Sequence, residues 1–205
     1  MKTEGQRKAI LNLKNLLEMD RAQIGKYKKL GEIYRYIFGL NIPFVQQTHE
    51  NSCGAAALEM VYRYSRVKST DQMDIFNKYK KQNPISLTDF YIETNDLITD
   101  ARQTGFNNAR WERMDISNKN STMDTLARFI RKGVPIIACQ QFTKERPDIG
   151  HFRVITKVRS GHVYFHDPNP KYGGKNLRWS VEKFIDYWRS TGNNVTGGVL
   201  LIIEK

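Results

Sequence analysis

Gln47-Thr48-His49-Glu50-Asn51-Ser52-Cys53-Gly54-Ala55-Ala56-Ala57 sets a side-chain amide six positions ahead of a cysteine and opens an apolar, alanine-rich segment at that cysteine. Residues 53–65, with Leu58, Val61 and Tyr62 on one side, read as a helix. These are the parts a thiol nucleophile needs. The unsatisfied N–H groups of a helix start carry partial positive charge and favour thiolate over thiol. A nearby amide N–H can stabilise the oxyanion of a tetrahedral intermediate. Gln47 is the preferred donor, with the main-chain N–H of Cys53 as a second; spacing arithmetic alone does not remove Gln46.

A thiol nucleophile also needs a base and a group that orients the base. Both are found about a hundred residues on, in Gly150-His151-Phe152-Arg153-Val154 and His166-Asp167-Pro168. Residues 152–158 and 163–166 read as strands, and Ser160-Gly161 as the turn between them. Strands joined in this way run antiparallel, so the start of the first lies beside the end of the second. His151 and Asp167 can therefore be neighbours across the hairpin, as base and orienter. His166 then points away from the site, because adjacent strand residues face opposite sides. Asn169 is a second choice as orienter, His162 sits in the turn, and His49 is near Cys53 only in sequence.

The rest of the chain divides at Asn41-Ile42-Pro43, where proline disfavours helix in the residue before it. Residues 6–39 carry apolar side chains at helical spacing, with a break near Met19-Asp20 that predicts a helical hairpin. Further helices are expected over 71–80, over 87–104 with Ser86 or Thr88 as N-cap, from Ser121 or Thr122 to Lys132-Gly133, and over 180–189. Val134 to Phe142 and Gly198 to Ile203 read as strands, and 171–175 as a loop. Helices come first and strands later, so the fold class is α+β. A 1–40 helical extension would precede a domain over 41–205.

Composition excludes several classes. Two cysteines rule out a disulfide framework, and Cys139 reads as an apolar filler in a buried strand. No close metal-ligand spacing occurs, and no cofactor is called for. The net charge of +12 is spread without a long basic run or a nucleic-acid signature. It invites an acidic partner and gives no reason to expect nucleic acid. No window is apolar enough to span a membrane, and Met1 to Asp20 lacks a signal peptide's apolar run, so a cytoplasmic location is expected.

The chain resembles the papain-like cysteine peptidases of the C39 and C39-like group. The resemblance rests on Gln47 with 51–61, on 132–137, on 150–155, on His166-Asp167-Pro168 and on 184–188. It implies a papain-like fold with a helical lobe and an antiparallel sheet lobe. It also implies Cys53 as nucleophile, His151 as base, Asp167 as orienter and Gln47 as oxyanion donor. Members of the group often cut after a double glycine at the end of a leader peptide. The implied function is hydrolysis of a peptide substrate. Acyl transfer to another nucleophile by the same residues, and non-catalytic peptide binding, are the alternatives.

Overall fold

The computed structural model describes residues 25–67, 71–82, 90–189 and 195–205. Residues 25–38 are helical and form α1. The expected break near Met19-Asp20 lies outside the described residues. Gly39 ends α1 with φ +81, and the chain then runs without regular structure to the cysteine loop. Helix α2 spans Cys53–Tyr64, α3 spans Gln72–Tyr79, α4 Thr94–Gln103, α5 Lys119–Lys132 and α6 Val181–Tyr187.

Among the described residues, eight strands accompany them. β1 (Lys81–Gln82) pairs antiparallel with β2 (Phe90–Tyr91). The other six are β3 (Arg110–Arg113), β4 (Ile136–Gln141), β5 (Gly150–Arg159), β6 (His162–Asp167), β7 (Gly174–Ser180) and β8 (Val199–Ile202). They form one antiparallel sheet in the order β3-β8-β4-β5-β6-β7. Helix α2 packs on β5 and on α3 and α4, while α5 and α6 pack on the sheet. This is the α+β, papain-like arrangement of a helical lobe and a sheet lobe.

The core explains why α2 is fixed. Leu58, Met60, Val61 and Tyr62 have no exposed surface, and neither do Ile136, Ile137, Val154, Ile155 and Phe165 of the sheet. Burying each such side chain contributes about 1.5–3 kcal/mol. The cysteine at the head of α2 is thus held on a rigid scaffold.

Several expectations need correction. The helix expected over 87–104 begins at Thr94 and is capped by Glu93 in a capping box, where the Glu93 main-chain N–H donates to the Asp96 carboxylate at 3.2 Å and the Glu93 carboxylate accepts the Asp96 N–H. Phe90-Tyr91 instead joins β1, in keeping with the strand preference of aromatic residues. Ser86 and Thr88 lie outside the described residues. Helix α5 begins at Lys119, because the Asn118 side chain accepts the N–H of Ser121; Thr122 instead donates to the carbonyl of Asp115. Strand β7 takes over the end of the expected 171–175 loop. The strand expected over 198–203 is present as β8, between β3 and β4.

The β5–β6 hairpin matters most for the site. Its turn residues, Ser160 and Gly161, have φ +52 and +73, the left-handed pair that a two-residue hairpin with native twist requires. From the turn, Arg159 pairs with His162 and Lys157 with Tyr164, but the next pair is Ile155 with Phe165. Thr156 is therefore an extra residue, a β-bulge. A one-residue shift exchanges the faces of a strand. Continued without the bulge, the register would set Asp167 opposite Val154, on the other face from His151. With the bulge Val154 pairs with His166, so Asp167 shares a face with His151 and Arg153. The carbonyl of Thr156 accepts the N–H of Leu40 at 2.8 Å. A Cβ on Gly39 would lie 2.5 Å from that carbonyl oxygen, so only glycine fits there.

Candidate active site

Cys53 is the first residue of α2 and is 8% exposed. Ser52 precedes it as N-cap but makes no side-chain cap to the helix, and the first turn carries no acidic residue. Its hydroxyl donates instead to the carbonyl of His49 at 3.0 Å. The positive end of the helix is left for the sulfur.

His151 and Asp167 are both buried, and Nε2 of His151 lies 2.6 Å from Oδ1 of Asp167. His151 acts on Cys53, and the main-chain N–H of Phe152 bears on the same sulfur. With Nε2 engaged by Asp167, Nδ1 is the ring nitrogen that remains for the thiol. The ring of Phe142 packs on the imidazole at 5.0 Å and meets the Tyr172 ring edge-on at 5.8 Å.

The charges reinforce one another. Burial alone would push the Cys53 thiol up, but the charge and hydrogen bond of His151 and the Phe152 N–H outweigh it, so it is lowered. Burial would likewise lower His151; the facing Cys53 and Asp167 raise it overall, while Arg153 pulls it down. Asp167 would be raised by burial, but His151, Arg153 and the Asn169 N–H hold it well below the usual carboxylate range. The arrangement favours thiolate and imidazolium, the pair from which a cysteine attacks a carbonyl.

Gln47 is buried near by, and its main-chain N–H donates to the carbonyl of Pro168 at 2.9 Å. Its side-chain NH2 donates to the carbonyls of His49 at 3.0 Å and Glu50 at 2.6 Å, while Oε1 is buried without a partner. Gln46 is exposed, and its carbonyl accepts from Gln72. Asn169 does not face His151: its side chain accepts the N–H groups of Lys171 and Tyr172 and shapes the loop after Asp167. His49 stacks on Phe76, and His162 bonds the Ser160 carbonyl in the turn. His166 is buried on the other face, bonded to the Ile42 carbonyl and the Asn176 N–H.

Sequence reasoning left two neighbours unassigned. Arg153 is buried and donates from Nε to Oδ2 of Asp167 at 2.7 Å. Gln72 is buried and ties the cysteine loop to α3, accepting from Thr48 N and Ser52 Oγ and donating to the Gln46 carbonyl. Both look like ordinary polar residues in sequence; only the unusual pairing of a buried-strand pattern with an arginine marked Arg153.

A family model for the Peptidase_C39-like family matches residues 39–196. The chain belongs to that family. The match covers Gln47, Cys53, His151 and Asp167. Solved structures agree on the fold. The peptidase domain of Streptococcus ComA, a bifunctional ABC transporter of a quorum-sensing pathway, aligns at TM-score 0.56 and 19% identity over 78% of this chain and 97% of that one. A C39-like peptidase from Bacillus anthracis aligns at TM-score 0.56 and 17% identity over 82% and 98%. A double-glycine-motif protease of an AMS/PCAT transporter, solved in complex with the leader peptide, aligns at TM-score 0.52 and 19% identity over 80% and 92%. No curated protein sequence matches the chain. Among the described residues, no group of three or more His, Cys, Asp or Glu could hold a metal ion, and no helix is long and apolar enough to cross a membrane.

Proposed function

We propose that this chain is a cysteine peptidase acting through Cys53, His151 and Asp167. The observation that carries the reading is His151 itself: one ring nitrogen is fixed on Asp167 at 2.6 Å, and the imidazole lowers a buried thiol at a helix start. In this reading the Cys53 thiolate attacks the scissile carbonyl and forms a C–S bond. The carbonyl oxygen becomes an oxyanion, stabilised by the main-chain N–H of Cys53 and by Gln47. Gln47 joins by turning one Nε2–H from a loop carbonyl to the oxyanion. The His151 imidazolium then gives its proton to the leaving amine as the C–N bond breaks, leaving a thioester. Neutral His151 next takes a proton from water, whose oxygen attacks the thioester and releases the carboxylate and Cys53. Asp167 keeps the imidazole in one orientation throughout.

The peptidase domain is assigned to 41–205, with 1–40 as an N-terminal extension. The substrate is a peptide, and a double-glycine leader is the first candidate, by likeness to the AMS/PCAT protease seen with its leader peptide. The +12 charge favours acidic sequences. The test is digestion of a proteome-derived peptide library. The wild-type chain is expected to cut a defined set of peptides and Cys53→Ala none; equal cutting by Cys53→Ala would remove the mechanism. Products joined to an added amine, in place of free carboxylates, would indicate acyl transfer by the same residues.

A further inference from the structure

Arg153 has no task in the steps above, yet the fold spends a buried guanidinium on it. We infer that Arg153 is a positioning residue for this site: it grips the outer oxygen of Asp167, so that the inner one meets His151, and it ties the end of β4 over the imidazole. The inference rests on the reading of Cys53 and His151 as a thiolate–imidazolium pair.

The geometry uses the guanidinium fork. Nε donates to Asp167 Oδ2 at 2.7 Å, Nη2 to the Phe142 carbonyl at 2.9 Å, and Nη1 to the Gln141 carbonyl at 3.1 Å, with Oε1 of Gln140 at 3.4 Å. Gln140 is itself held by the Phe184 carbonyl at 2.9 Å. The rings of Trp179 and Tyr187 lie 5.0 and 5.7 Å from the guanidinium carbon. A lysine could supply the charge but not this planar set of donors. The carbonyl bond to Phe142 bears on the site directly, because the Phe142 ring covers His151 at 5.0 Å.

The charge has a second consequence. The charged and titratable groups facing His151 are Cys53 from α2, Asp167 from β6 and Arg153 of its own strand, with Tyr187 of α6 against the far side of Arg153. Cys53 and Asp167 raise His151, and Arg153 opposes them. A base that must return its proton to a leaving amine works best when it does not hold that proton too tightly. Arg153 lets Asp167 orient the ring without making it too basic.

The test follows the His151 ring by NMR through a pH titration, in the wild type, Arg153→Gln and Arg153→Lys, with Cys53 alkylation by iodoacetamide measured in each. Arg153→Gln is expected to raise the His151 midpoint by about one pH unit. Arg153→Lys keeps the charge and should leave the midpoint within about a few tenths of a unit, but slow Cys53 alkylation severalfold through the lost fork. A folded Arg153→Gln protein with the wild-type midpoint overturns the inference. Should that variant not fold, an Arg153→Lys protein with wild-type alkylation overturns it instead. Wild-type Cys53 that alkylates no faster than Cys139 would break the reading of the site, while the His151 midpoint would still report on Arg153.

Discussion

The two faces of the sheet where β4, β5 and β6 meet carry buried titratable groups in opposite states. On one face His151 is raised and Asp167 lowered, so both favour their charged forms. On the other, which Cys139, Phe152 and His166 share by register, His166 is lowered and Cys139 is pushed up to about 12, so both favour their neutral forms. Burial is the largest influence on all four. The difference is company. His151 faces Cys53 and Asp167, whereas His166 hydrogen-bonds neutral groups, accepting the Asn176 N–H at Nδ1 and donating its Nε2–H to the Ile42 carbonyl, and the like charge of Lys175 lowers it further. Burial therefore silences a group unless a complementary charge lies against it.

The sharpest way to break this comparison is to exchange the thiols. Cys53→Ala should abolish peptide hydrolysis, while Cys139→Ala should keep most of it; the reverse result would move the chemistry to the other face. Next, His151→Ala should make Cys53 behave like Cys139. Without the imidazolium, burial dominates and the thiol rises, so alkylation at pH 7 should fall about tenfold or more. An unchanged rate would mean that the helix start alone lowers the thiol.

Two glycines test the backbone that separates the faces. A Cβ on Gly173 would lie 2.7 Å from Asp167 Oδ1 and 2.5 Å from the Asp167 carbonyl oxygen. Gly173→Ala should thus displace Asp167 and cut kcat more than it raises KM, read by steady-state kinetics on any peptide found. Gly39→Ala strains a left-handed residue and presses on the bulge at Thr156. A stability loss of at least about 1–2 kcal/mol in urea unfolding is expected. A wild-type midpoint would show that the bulge does not depend on the Gly39–Leu40 junction.

The smallest effect concerns His166. Its folded value is lowered, so the unfolded chain binds more protons below about pH 6.5 and stability falls as pH drops through that range. His151 is raised and works in the opposite sense, adding stability below about pH 6.5 that is lost as pH rises through its folded value. His166→Gln should therefore flatten the acid-side loss seen by urea unfolding at pH 7.5 and 5.5. A steeper loss in the variant would reverse the assignment.

The comparison also marks what the sequence could carry. The hairpin turn, the helix at Cys53 and the pairing of His151 with Asp167 were legible, because each leaves a local signature in turn residues, apolar spacing or strand ends. The bulge at Thr156 was not. The turn arithmetic brought His151 and Asp167 close along the strands, but nothing in the residues shows the extra position that puts them on one face. In the six-stranded sheet, the strands without a sequence signature, β3 and β7, lie at the two edges, where charged residues such as Arg110, Glu112, Lys175 and Arg178 replace the apolar pattern. Arg153 gives no such signature because its value lies in partners from four separate segments: Asp167 of β6, the end of β4, Trp179 of β7 and Tyr187 of α6.

The central claim is that charge, not exposure, makes one thiol reactive. Cys139 is the more exposed of the two cysteines by surface area, although crowded enough for burial to push it up. The direct measurement is the pH dependence of iodoacetamide alkylation at each cysteine, resolved by mass spectrometry of the two peptides. Cys53 should alkylate far faster than Cys139 at neutral pH, with an acid midpoint below the ordinary thiol value of about 8.5. Equal, slow labelling of both, or faster labelling of the more exposed Cys139, would contradict the account.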